Sequence, residues 1–155
     1  MNVEVNVKDR VLRPVDEVFA AIVDPDRMSR YFLTHGSGPL KAGSTVRWDF
    51  EDVGRSLAVD VTQVEPDHQI DFEWAASGVK AHVTIVLEAA GASTTIVSIH
   101  EAGWPLDPQG VRRALEQTRG WTDFLCCMKA YLQHGIKLRR GRTGSEPGAP
   151  ARRAG

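Results

Sequence analysis

The segment RGWTDFLCCMKAYLQHG, residues 119–135, decides how the rest of the chain is read. At 100° per residue, Ala114, Trp121, Leu125, Met128 and Leu132 fall on one stripe of a helix, with Phe124 on its shoulder. Upstream, Asp107 is placed to cap the helix and Pro108 suits its first turn. Downstream, Gly135 is a natural C-cap. Gly120 interrupts the interior at a cost of about 1 kcal/mol relative to Ala and admits a kink or break there. Cys126 and Cys127 are sequence neighbours, so on a helix their side chains diverge by about 100°. They lack the C-x-x-C spacing, and the nearest histidine, His134, is too isolated to complete a zinc set. They read as reduced, small apolar packers, and no metal or other cofactor is expected. The segment is a helix that covers an apolar surface.

The middle of the chain supplies that surface. Val46, Trp48 and Phe50 alternate with Arg47, Asp49 and Glu51; Leu57, Val59 and Val61 alternate with Ala58, Asp60 and Thr62. Ile70, Phe72 and Trp74 alternate with Asp71, Glu73 and Ala75, and Val79 to Leu87 repeats the pattern. A period of two, apolar on one side and mostly polar on the other, predicts an antiparallel sheet with one wet face. EDVG, EPDH, ASG and AAGAS supply turn residues at hairpin spacing. In TTIVSIHE, residues 94–101, both faces are partly apolar, so the pattern alone does not orient that strand. Val3 to Val7 predicts an opening strand, and RPVDEVFAAIVDPDRMSRYF predicts two short helices broken at Asp24-Pro25. The fold class is therefore α+β: a curved antiparallel sheet of six to seven strands around one long C-terminal helix. A strongly twisted sheet cannot lie flat along a straight helix. The ends must fill with large side chains or leave a cavity.

With 42% apolar and 25% charged residues, the 155-residue chain has the composition of one globular domain. The formal charge is −1; from Lys137 onward six bases and one acid give +5, which leaves −6 on residues 1–136. An acidic body argues against nucleic-acid binding. No leader peptide and no spanning segment are expected, which makes the cytoplasm the default location. Residues 1–136 are expected to form the domain. Residues 137–155, rich in Gly, Pro, Ala and Arg, are expected to be a disordered basic tail able to touch anionic surfaces.

The order of these pieces resembles the START-like (SRPBCC, helix-grip) superfamily. Within it, the chain is most similar to the family of the Activator of heat-shock-protein-90 ATPase in single-domain bacterial form. The resemblance is carried by RPVDEVFAAIVDPDRMSRYF, LKAGSTVRWDF, VTQVEPDHQIDFEW, VTIVLEAAGASTTIVSIHEAGW and GWTDFLCCMKAYLQHG, which together span roughly residues 8–136. It implies a cavity between sheet and helix of the kind that binds lipids, sterols, hormones or polyketides, and in some members supports cyclases or hydrolases. It also places Ser98 and His100 on the inner face. HEAGW carries one residue more than the usual HEG-aromatic form.

The candidate ligand-binding residues are Tyr31, Trp48, Phe50, Phe72, Trp74, Ser98, His100, Trp104, Trp121, Phe124, Leu125 and Met128. Opposed aromatic surfaces serve equally as core and as an apolar ligand wall. His100 is the candidate general base. By alternation Glu101 points away from His100, and Asp49 away from Trp48, so no acid–base pair is assembled. That favours binding of a small hydrophobic or amphipathic molecule over catalysis. A cyclase or dehydratase working in the same cavity is one alternative; a stress-related co-chaperone or homodimer is another.

Overall fold

Alternation becomes burial along Ala81–Ala89: Ala81, Val83, Ile85 and Leu87 are buried, and the residues between them are half-exposed. The structure, a computed structural model, describes residues 1–141. Its elements run β1 (Asn2–Val11), α1 (Val15–Val23), α2 (Pro25–Met28), β2 (His35–Gly36), β3 (Thr45–Phe50), β4 (Arg55–Glu65), β5 (Gln69–Trp74), β6 (Ala81–Ala89), β7 (Thr95–Pro105) and α3 (Pro108–His134). The strands form one seven-stranded sheet in the order β1-β7-β6-β5-β4-β3-β2, antiparallel at every pairing. This is the helix-grip fold.

The long helix begins and ends where its caps require. Asp107 Oδ1 accepts the Gly110 N–H at 2.7 Å, and Gly135, at φ 65°, returns its N–H to Tyr131 O at 2.9 Å. At 27 residues the helix is about 40 Å long. It runs through Gly120 without a break, because the packing of both flanking halves outweighs one glycine. Its buried stripe is Ala114, Trp121, Phe124, Leu125, Cys127 and Met128, resting mainly on β1 and β7. Both cysteines are free; Cys127 is buried among core side chains and Cys126 is exposed.

Two bulges set the curvature. In β4, Val61 faces Phe72 and Gln63 faces Asp71, so Thr62 is the extra residue. In β7, Glu101 and Ala102 keep their pairing while Trp104 moves opposite Val3, so Gly103 is extra. Gly103 sits at φ 147°, and a Cβ there would lie 2.9 Å from Lys80 O. Only glycine fits so close to β6. The bulge resets the parity of the strand. Both Glu101 and Trp104 point inward, although they are an odd number of residues apart.

Three expectations change here. Ser98 and His100 face outward, with Asn6, Lys8 and Thr84 around them, because Val97 and Ile99 are the buried side of β7. Five residues of the expected tail are described, and Arg139 among them folds back onto the domain with a side chain only 13% exposed. The rest of that tail, residues 142–155, lies outside the described residues. Tyr31 belongs to the core: its ring stacks on Tyr131 at 5.8 Å, and its hydroxyl donates to Ala21 O at 2.8 Å.

Burial of Tyr31, reinforced by Tyr131 and Cys127, raises its phenol well above the ordinary value of 10.0. The neutral form is the one that folding favours, so its stabilisation is complete below the unfolded pKa. It is lost as pH rises toward the folded one. Urea unfolding is therefore expected to weaken steeply above about pH 10. Tyr31→Phe, which removes the ionisable group, should flatten that decline relative to its own value at neutral pH.

Candidate functional site

Most of the space between sheet and helix is filled with rings. Phe72 meets Trp74 at 5.4 Å and Trp48 at 5.5 Å; Trp121 stacks on Trp74 at 5.3 Å and meets Phe124 edge-on at 5.3 Å. Phe32 links Phe124 at 4.8 Å to Phe50 at 5.0 Å. Such offset and edge-on pairs stabilise by about 0.5–1.5 kcal/mol beyond their burial. The middle of the expected cavity is therefore core.

A cleft of about 170 Å³ remains where the β3–β4 turn and the start of β4 diverge from the middle of α3. Phe50, Trp74 and Trp121 line it. Trp48, Phe72, Phe124, Leu125 and Met128 form the packed layer behind it, while Tyr31 and Trp104 are core elsewhere. The remaining wall comes from residues that carried no signal in the sequence: Phe32, Val53, Leu57 and Ala76 as apolar surface, and Arg55, Gln117, Asp123 and Arg139 as polar groups. A shallow groove of about 960 Å³ continues outward along α3 past Glu116, Arg119 and Cys126. An apolar cavity of roughly 150 Å³ is enough to hold benzene, so the slot suits one ring, with the groove outside it for the rest of a molecule.

Gly120 borders the cleft on its helix side. It lines both slot and groove, and a Cβ built on it meets nothing within 4 Å. Gly120→Ala should therefore stabilise the protein by about 1 kcal/mol through helix propensity alone, read as a raised urea midpoint. A loss of stability would mean that the helix is bent there.

A buried carboxylate stands behind the wall. Glu101, 0% exposed, accepts Trp74 Nε1–H at 2.7 Å and Trp121 Nε1–H at 2.8 Å, one on each oxygen. Gln117 Nε2 donates to the same two oxygens at 3.0 and 3.3 Å. Its donors are all neutral, and they come from β5 and α3. Nothing in the pattern of the sequence distinguished this glutamate from a surface one beyond its being opposite to His100.

The rim is held by arginines. Arg55 Nη2 donates to Ala76 O at 2.7 Å. Arg139 lies 5.8 Å from the centres of both the Phe32 and Phe50 rings and is ion-paired with Asp52, its Nε at 3.0 Å from Oδ2. Cation–π contact and ion pair together draw the segment after α3 across one side of the cleft. His100 is remote from all of this: its side chain is 38% exposed, with Nε2 3.1 Å from Glu4 Oε2 on the outer face. Among the described residues no three His, Cys, Asp or Glu side chains converge as a metal site, and no helix is long and apolar enough to cross a membrane.

The comparisons with known proteins agree with this architecture. The family model of the Activator of Hsp90 ATPase homolog 1-like protein matches residues 13–133. The chain belongs to this family. A crystal structure of a Staphylococcus saprophyticus protein is 31% identical, with a TM-score of 0.78 over 88% of this chain and 96% of the other. DynU16, from the dynemicin biosynthetic locus, is 33% identical with a TM-score of 0.75; the match covers 85% of this chain and 48% of DynU16. The Aha1 dimer from Colwellia psychrerythraea, at 20% identity and TM-score 0.74 over 86% of this chain and 98% of that one, shares the fold. No curated protein matches the chain in sequence. The family match ends at residue 133, so Arg139 and its ion pair lie beyond what the family model describes.

Proposed function

We propose that this family member binds a small apolar or amphipathic molecule, one ring of which enters the slot between Trp74, Trp121 and Phe50. The observation that carries the reading is the slot itself: an aromatic-walled space, open to solvent at the helix position that has no side chain. Sites of this kind gain affinity from apolar burial and specificity from a few fixed polar groups. The small volume makes a fully enclosed sterol or acyl chain a poor fit; a ring with its remainder in the outer groove is a better one.

Naphthalene is a suitable probe. It should shift the indole N–H resonances of Trp74 and Trp121 and leave that of Trp104, bonded to Ser77 Oγ at 3.0 Å, unmoved. Gly120→Phe, which places a ring in the opening, should abolish the shift while the protein stays folded. Absence of any shift, or the same shift in Gly120→Phe, would remove the reading.

The 33% identity to DynU16, whose locus is biosynthetic, supports a second reading: an enzyme acting on a small intermediate in the same cleft. That reading has to do without His100 as its base, since the cleft and the outer face are separated by the sheet. Turnover of a polyketide-like substrate that survives His100→Ala but not Gly120→Phe would support it; turnover lost in His100→Ala alone would contradict it.

A further inference from the structure

Glu101 fixes the direction of an amide at the cleft mouth. An indole N–H can only donate, and each Glu101 oxygen receives one, so both oxygens are acceptors. Gln117 adds its nitrogen to them at 3.0 and 3.3 Å. Turned over, it would set Oε1 against the carboxylate, acceptor on acceptor. The amide is therefore held with nitrogen inward. Its Oε1 accepts no bond from the described protein. Asp52 Oδ1 is the one buried side-chain oxygen or nitrogen without a partner among the described residues, so Gln117 Oε1 is reached by solvent, and Gln117 lines the cleft.

From this geometry we infer that the cleft selects a ring-bearing molecule carrying a hydrogen-bond donor, a hydroxyl or phenol, and that Gln117 Oε1 receives it. The inference rests on the ligand-binding reading above and adds the chemical class. Of the arginines at the rim, Arg139 is paired with Asp52, while Arg55 gives one N–H to Ala76 O and keeps its charge. An ether would leave Gln117 Oε1 without a donor and shielded from water. Gln117 and, through it, Glu101 are specificity-determining residues: the first touches the ligand, the second positions the first.

Three probes of one shape test this on the full chain: 2-naphthol, 2-methoxynaphthalene and 2-naphthoate, titrated against the Trp121 indole N–H resonance. In the unaltered protein 2-naphthol should bind about tenfold more tightly than 2-methoxynaphthalene, which covers the same acceptor without a donor, and 2-naphthoate, which has no donor either, should lack that gain. Gln117→Leu should erase the preference between the first two. Glu101→Gln, which permits the amide to turn and offer its nitrogen, should move the preference toward the ether; a merely structural role for Glu101 would weaken all three probes alike. Equal binding of the naphthol and the ether, or a preference that persists in Gln117→Leu, would overturn the inference and leave the cleft a ligand site. Failure of all three probes to move Trp121 would overturn the ligand-site reading and the inference with it.

Discussion

Glu101→Ala is expected to lower the unfolding free energy by about 2–4 kcal/mol, because it strips the acceptor from two buried indole donors. The physical reason is the set of donors left behind. Two indole N–H groups and one amide nitrogen now bond to the carboxylate, and none has another acceptor within the packed layer. Each buried donor stripped of its partner costs about 1–3 kcal/mol. Carrying a carboxylate out of water also costs several kcal/mol, and Glu101→Ala removes that cost together with the acceptor, which offsets part of the loss. Glu101→Gln separates the two effects. It preserves volume and keeps an acceptor for one indole but turns an amide nitrogen toward the other, so its loss should lie clearly below that of Glu101→Ala. Urea unfolding followed by circular dichroism measures both. A loss under about 1 kcal/mol in Glu101→Ala would show that water reaches the indoles and that the residue is not sealed.

The second large effect is at Trp121, where packing and polar contributions meet in one side chain. Trp121→Ala should cost about 3–5 kcal/mol, as large-to-small aromatic substitutions in cores do. The ring stacks on Trp74, meets Phe124 edge-on and approaches Phe72 at 6.5 Å, so its removal leaves three neighbours without a partner face. Trp121→Phe keeps a six-membered ring in that space but loses the N–H to Glu101 and the fused ring that carries it; about 1.5–3 kcal/mol is expected for the hydrogen bond to the carboxylate alone. Because Trp121 is also a wall of the slot, Trp121→Ala should enlarge it and admit bulkier probes than naphthalene. Tighter binding of a three-ring aromatic in Trp121→Ala than in the unaltered protein would show this, and a collapsed, probe-excluding variant would show that the aromatic layer repacks.

Much of the architecture was legible because its signals are local. Alternation along β3 to β6 predicts which side chains turn inward, and Asp107, Pro108 and Gly135 mark both ends of α3. The resemblance carried by those same segments matches the family that the chain belongs to. The site was less legible. Phe50, Trp74 and Trp121 are large and apolar, and periodicity places them. Gly120 was visible as a helix-breaking residue, but what its missing side chain opens depends on how far β4 stands from the helix. The pattern leaves β7 unoriented and the resemblance places Ser98 and His100 inward; both face outward, because Val97 and Ile99 are the buried side of the strand.

The sequence by itself determined the long strands and helices and the inward face of β3 to β6, because a period of two or of 3.6 is written in neighbouring residues and needs no partner to be read. Only the tertiary structure decided which face of β7 is buried, that Glu101 sits among indoles, and that Arg139 returns to Asp52. Each of these depends on groups far apart in the chain that compensate one another. A glutamate is tolerated at 0% exposure only where Trp74, Trp121 and Gln117 arrive together, and no single segment encodes that meeting.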